Sequence, residues 1–447
     1  MSVASVEPSP EVPAARRVLV VVSSYAPTMI ADMHRARHLA WELAKIGWKT
    51  EILTPALGYQ MPFIVDPDSG PFFPPSGNVT YVPPFLPRFF AWLGVRTIGW
   101  RALVPMFFMG NCILQGGIDI VYFSTTQFSL FLLGPLWRLR FGTPYVLDFH
   151  DPCVREDKAR PVWMSSNLKY LVTRWLLKRT EAMATRRASG IVAVSPQYLD
   201  LLVRRYGAHR PEWAKPERTA VIPFAALDRD LQEAAASRSL VVSGTATRII
   251  YIGAGGPIMA RSFRLLCKAL ETIRKHDPSH LANIRIGLYG TIFGWEEKGG
   301  RKDLAEIAAQ AGFTDIVNES PGRVSYRRSL ELLLGADGAL ILGVDDAGYM
   351  PSKLMSYALS GKPLLAVLHR DGPAYRLFEG NPGFGEAIWF DGSGEIPATE
   401  AATVVAKFLA QCSDRGSFDR RVMLEPYLAP AMARRHAQLF EACLDKA

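Results

Sequence analysis

The chain has 447 residues, enough for two or three domains with separate cores and a cleft between them. Hydrophobic residues make up 49%, aromatic residues 11% and charged residues 21%, which excludes disorder, collagen and coiled coil. Fifty-one Lys and Arg against 42 Asp and Glu leave a net charge of +9, which favours an anionic partner such as a nucleotide, a lipid phosphate or a membrane surface.

Residues 1–17 are rich in Pro, Ala and Glu without an apolar stretch, and read as a frayed tail rather than a signal peptide. Val18 to Val22 is wholly apolar and predicts a strand buried on both faces of a parallel sheet. From Asp32, apolar residues at Ala36, Leu39, Ala40, Leu43 and Ala44 have amphipathic-helix spacing up to Gly47, and Lys49 to Leu53 resumes as strand. Strand, helix and strand of this length open a doubly wound sheet. Asp32, His34, Arg35, Arg37 and His38 cluster at the start of that helix, with Arg35 a candidate to face the cleft; a solvated helix face would carry the same charges. Asp66-Pro67-Asp68 and Asp228-Arg229-Asp230 match an Asp-x-Asp metal pattern, but neither follows a buried strand, and both read as turns.

Between Pro83 and Gly110, Phe85, Phe89, Phe90, Trp92, Trp100, Phe107 and Phe108 are interleaved with Arg88, Arg96 and Arg101 and no acid. That composition suits the interface of an anionic bilayer, and equally a core helix pair whose arginines reach solvent. The uncharged runs Ala102–Ile118 and Ile120–Trp137 are broken by polar residues and proline, short of the roughly 20 mainly apolar residues that spanning requires.

Further strands are expected at Asp119–Phe123, Tyr145–Phe149, Gly190–Ser195 and Ala220–Phe224, with a helix over Leu168–Arg187. Asp148, His150 and Asp151 end one of these strands, at the edge where an open α/β sheet presents reacting groups. His150 could donate to an acceptor or sugar hydroxyl, oriented by Asp148 or Asp151; strand-end capping would use the same residues. Residues 18–227 thus form one α/β domain, and 228–247, without an apolar strand, reads as a linker.

A second series spans 248–427, with strands at Arg248–Gly253, Ile284–Gly290, Gly338–Leu342 and Pro363–Val367 and helices at Arg261–Ile273, Tyr326–Gly335 and Ser352–Leu359. A last helix covers Ala431–Leu444. Gly253-Ala254-Gly255-Gly256 follows a strand and precedes a helix, so its backbone N–H groups could approach a phosphate, to which Arg261 could add charge; a tight turn explains the same glycines. A third dinucleotide glycine is replaced by Ile258, and no Walker pattern occurs. Pro351-Ser352-Lys353, after a loop of turn formers, would bring helix-start amides and an ammonium to one anion site, or form an ordinary helix start. Five cysteines without a close pair fit neither a disulfide framework nor a zinc site, and point to a reducing cytosol.

Taken together, Ala31–Ala40 with Leu43 and Gly47, Asp148–Pro152, Ala188–Ser195, Val221-Ile222-Pro223, Gly322–Tyr326 and Pro351-Ser352-Lys353-Leu354 through Tyr357 to Gly361-Lys362-Pro363 resemble the GT-B glycosyltransferases, specifically the family-four retaining group. The resemblance implies two Rossmann-like domains facing across a cleft, with the final helix (428–447) crossing back to the first. It implies a nucleotide-sugar donor held by Gly253, Gly255, Gly256, Val324, Ser352, Leu354 and Ser356, with Arg261 and Lys353 on its diphosphate. His150 and Asp151 would lie near the transferred sugar, and a lipid-linked or saccharide acceptor near Asp32 and Arg35. No metal, other cofactor or nucleic acid is expected, and the protein would be cytoplasmic, peripheral on the inner face of the plasma membrane through 83–110. Gly348 and Ser356 stand where the family carries two glutamates, and a lost charge-assisted bond would cost about 1.5–3 kcal/mol. The alternatives are a catalytically impaired binding protein of a polysaccharide-assembly complex and a nucleotide-sugar epimerase.

Overall fold

Seven strands alternate with helices through the first half of the chain: β1 (Arg17–Val21), β2 (Lys49–Pro55), β3 (Asn78–Val82), β4 (Ile120–Ser124), β5 (Tyr145–Phe149), β6 (Gly190–Ala193) and β7 (Thr219–Val221). They form one parallel sheet in the order β3-β2-β1-β4-β5-β6-β7. Its helices are α1 (Ala31–Lys45), α2 (Ile98–Gln115), α3 (Leu133–Phe141), α4 (Leu168–Arg186), α5 (Pro196–Tyr206) and α6 (Asp228–Ala236). The computed structural model describes residues 15–72, 78–87, 97–154, 168–236, 245–292 and 301–445.

The second sheet is also parallel, in the order β10-β9-β8-β11-β12-β13. Its strands are β8 (Thr247–Ile252), β9 (Ile284–Tyr289), β10 (Val317–Ser320), β11 (Gly338–Leu342), β12 (Leu364–His369) and β13 (Glu386–Phe390). The helices here are α7 (Ala260–His276), α8 (Asp303–Gln310), α9 (Tyr326–Leu334), α10 (Leu354–Leu359), α11 (Pro373–Gly380), α12 (Ala398–Ser413), α13 (Arg421–Leu424) and α14 (Ala429–Leu444). α14 returns to the first sheet and packs on α1, its Phe440 meeting Trp48 and Tyr122 with ring centroids 5.5 Å apart in each pair.

The central strands β4, β5, β6 and β11 are buried along their whole length, as their apolar runs predict. Strands β3, β10 and β13 carry no such run and were not expected; each lies at a sheet edge, where burial is incomplete. Right-handed crossovers put α1 on one face of the first sheet and α2, α3 and α4, whose connections step the other way, on the opposite face.

Three expectations change. The segment starting at Asp228 is helix α6 rather than turn or linker, with Asp230, Leu231 and Ala234 buried. The helix expected from Ser352 starts at Leu354. Of the 83–110 stretch, residues 88–96, with Arg88, Phe89, Phe90, Trp92 and Arg96, lie outside the described residues. Within the described part Arg101 is buried, donating from Nε to the Phe85 carbonyl at 2.7 Å, instead of reaching solvent or lipid. No helix among the described residues is long and apolar enough to cross a membrane.

Candidate functional site

The carboxyl ends of β4 and β5 meet α1 in a buried charged cluster. Asp148, with no exposed side-chain surface, accepts from Arg35 Nε, from Tyr122 Oη and, at 3.2 Å, from Arg35 Nη2. Burial alone would raise this carboxyl, but the Arg35 cation and His150 outweigh it and hold it well below the usual carboxylate range. An ionised carboxylate only accepts, so His150 Nε2, 2.8 Å away, must carry the proton between them. His150 Nδ1 has no hydrogen-bond partner although buried. It stands on the wall of the larger cavity, where it could exchange a hydrogen bond with a hydroxyl.

Arg35 does not reach out to an acceptor. Its third donor group, Nη1, is 3.0 Å from the Pro223 carbonyl, and the guanidinium lies 5.6 Å from the Phe224 ring centre. It is a strut beneath the site. From α14, His436 adds a contact of 3.1 Å between Nε2 and Tyr122 Oη, while its Nδ1 lies 2.8 Å from the Met432 carbonyl. Burial and the nearby Arg35 cation push His436 down to about 3, so it is neutral. Asp32 accepts from Ser23 Oγ at 2.8 Å and from the Met33 amide at 3.0 Å, and burial raises its carboxyl above the ordinary value.

Two cavities lie between the halves. The larger, about 1030 Å³, is walled by Asp32, His150, Asp151 and Gln127 together with Ile30, Met61, Ile64 and Ile98 from the first half, and by Arg323, Tyr349, Met350 and Ser352 from the second. The smaller, about 190 Å³, takes in Gly253, Val324, Ser352, Lys353 and Ser356 opposite His34, Arg35 and His38. Ala31, Phe224, Arg323 and Ser352 wall both. Lys353 opens to the cleft, its Nζ 3.0 Å from the Ile252 carbonyl. The protein enclosing it, helped by the Arg323 cation, pulls its ammonium down to about 8.

Several expected donor residues fall elsewhere. Arg261 is turned to the end of β13, where it pairs with Asp345 at 2.8 Å, donates to the Asp391 carbonyl at 2.6 Å and stacks 4.8 Å from the Phe390 ring centre. It lines neither cavity. Arg323, three residues before the expected start of a helix at Tyr326, walls both cavities instead. The amides of Gly253 and Gly255 donate to the Tyr289 and Thr291 carbonyls at 3.0 and 3.1 Å, which removes them from phosphate binding. Gly255 is needed for packing: a Cβ there would come within 2.7 Å of the Thr291 carbonyl oxygen. Gly255, Gly256 and Leu354 line neither cavity, and Leu354 is core.

At Gly348 a Cβ would lie 2.3 Å from Cε1 of Tyr198, whose hydroxyl donates to Asp346 at 3.3 Å. The ring from α5 occupies the place a larger side chain would need. The halves are also clasped directly. Asp66 accepts from the Tyr326 amide at 2.7 Å and Ser69 Oγ from the Arg327 amide at 2.9 Å, covering the start of α9 from the other half. Tyr326 donates to Asp230 at 2.6 Å, Asp230 pairs with Arg37, and the His34 ring lies 4.2 Å from that of Tyr326. Both acidic pairs read as turns in sequence thus supply a buried carboxylate to the seam.

Residues 34–225 match the family model described as the glycosyl transferase 4-like domain. No curated protein sequence matches the chain. Among solved structures the fold is similar to sucrose-phosphate synthase from Thermosynechococcus elongatus, at 14% identity over 95% of this chain and 98% of that one, with a TM-score of 0.60. It is similar to Anabaena HepE, solved with UDP and glucose, at 14% identity over 96% and 100% of the two chains and a TM-score of 0.59. Trehalose-6-phosphate synthase OtsA matches at 12% identity over 96% and 99%, with a TM-score of 0.63. Two parallel Rossmann-like sheets and a last helix that returns to the first give this chain the GT-B fold, and its residues 34–225 are similar to the glycosyl transferase 4-like domain.

Proposed function

We propose that the chain is a retaining glycosyltransferase, passing a sugar from a nucleotide-sugar donor to a hydroxyl of a lipid-linked or saccharide acceptor without a metal ion. The observation that carries this is the placement of Lys353 and Arg323 on the walls of the smaller cavity, with Arg323 also facing the larger one across from His150. HepE, similar in fold, has been solved with UDP-glucose. In this reading the donor diphosphate lies against Lys353 and Arg323, and its sugar projects toward His150. The bond from the anomeric carbon to the phosphate oxygen breaks as the acceptor oxygen bonds to the same face, and the acceptor proton passes to the departing phosphate. Cations fixed where negative charge grows stabilise that transition state. His150 Nδ1 accepts from a hydroxyl of the transferred sugar and so orients it. The acceptor fills the larger cavity, whose isoleucines and Met61 suit an apolar portion.

Titration with uridine and guanosine diphosphates, followed by transfer assays in EDTA against lipid-linked oligosaccharide extracts, tests the reading. One diphosphate is expected to bind, transfer to persist in EDTA, and Lys353→Ala to lower turnover by about a hundredfold with the fold retained. Binding of neither diphosphate overturns it. Binding without turnover on any donor would favour the impaired-relative alternative, to which the Tyr198 ring packed against Gly348 lends support.

A further inference from the structure

Helices α2, α3 and α4 cover one face of the first sheet, and α3 touches both of the others. These three short stretches hold half of the large apolar side chains that the described residues leave exposed. Phe108, Leu139, Val172, Trp175 and Met183 are each more than half exposed. On α4 the buried side is mixed: Ala184 and the partly buried Leu177 pack on the core beside Thr180, Glu181 and Thr185, with Glu181 accepting from Arg205 and Tyr206 at 2.8 Å each. Its outward side carries Val172, Trp175, Arg179, Met183 and Arg186, at steps of three and four residues that keep them on one stripe. Folding of the chain alone does not account for an outward apolar stripe.

Charge identifies what covers it. There is no acid in α2 or α3, and the one acid of α4, Glu181, is turned inward. Arg140, Lys178, Arg179 and Arg186 are exposed among the apolar residues, and the Arg179 guanidinium lies 5.5 Å from the Trp175 ring centre. Tryptophan and aliphatic side chains interleaved with cations and no anion match the boundary between lipid tails and anionic headgroups. We propose that the outer surface of α2, α3 and α4 is a docking face for an anionic bilayer. Its centre lies on α3 and α4, beyond the 83–110 stretch, and it rests on exposure and charge alone, so it stands whether or not the chain transfers a sugar.

Sedimentation of the full chain with vesicles of phosphatidylcholine, or of phosphatidylcholine with about 30% phosphatidylglycerol, provides the test. At low salt the protein is expected to pellet at least about tenfold more with the anionic vesicles. Leu139→Ser with Trp175→Ser, which leaves every charge in place, should lower that partition about tenfold or more without changing the melting temperature. Lys178→Glu with Arg179→Glu, an independent pair, should erase the preference for anionic lipid. Wild-type protein left in the supernatant overturns the proposal, as does pelleting that neither pair alters. Vesicle-independent dimers seen by light scattering, abolished by the serine pair, would assign the face to a second copy instead.

Discussion

On the proposed reading, Lys353 is the residue at which pH should act most visibly on nucleotide binding. Its ammonium is held at about 8, below the ordinary lysine value, so the charge is present below that pH and lost as pH rises through it. Calorimetric titration of the bound diphosphate from about pH 6.5 to 9.5 should therefore show affinity falling above 8, and Lys353→Arg should flatten the curve. Asp148 and His150 were legible in the sequence because they end an apolar strand at the sheet edge, although capping would have used the same residues. Arg261 was not, because the direction of its side chain is set by Asp345, Asp391 and Phe390, roughly a hundred residues further along. Arg323 was hidden for the same reason: its value comes from standing where two cavities share a wall.

Element by element, the sequence revealed what is buried and missed what is half exposed. Strands β1, β4 and β11 announced themselves as apolar runs, while β3, β10 and β13 mix polar residues into short edge strands. Contacts between distant elements left even less trace. Nothing in α5 indicates that Tyr198 reaches the loop before α10 and fills the space over Gly348. Because Tyr198 is itself buried and cannot swing aside freely, Gly348→Ala should cost about 1–3 kcal/mol in denaturant unfolding. In a Tyr198→Ala background the same change should cost less than about 1 kcal/mol, a non-additivity that identifies the ring as the obstacle.

For the whole molecule, the two-sheet architecture followed from the order of strand and helix, but the seam that joins the halves did not. Asp66 and Asp230 look like turn residues until α9 is set against them. Burial would raise the Asp230 carboxyl, but the neighbouring His38 ring and the Arg37 guanidinium, which donates to both of its oxygens, hold it far below its unfolded value of about 3.9. A depressed carboxylate contributes stability that is present above the unfolded value and lost as pH falls toward the folded one. Asp230→Asn should therefore destabilise most near neutrality, with the gap to the wild type narrowing below about pH 4 in urea unfolding followed across pH. The smaller cavity, about 190 Å³, is below the roughly 300 Å³ at which ligand pockets begin. On the reading proposed above, the diphosphate enters by parting the contacts that Asp66 and Ser69 make with the start of α9, and its observed association rate should then climb with concentration only until it reaches a plateau set by the protein's own motion.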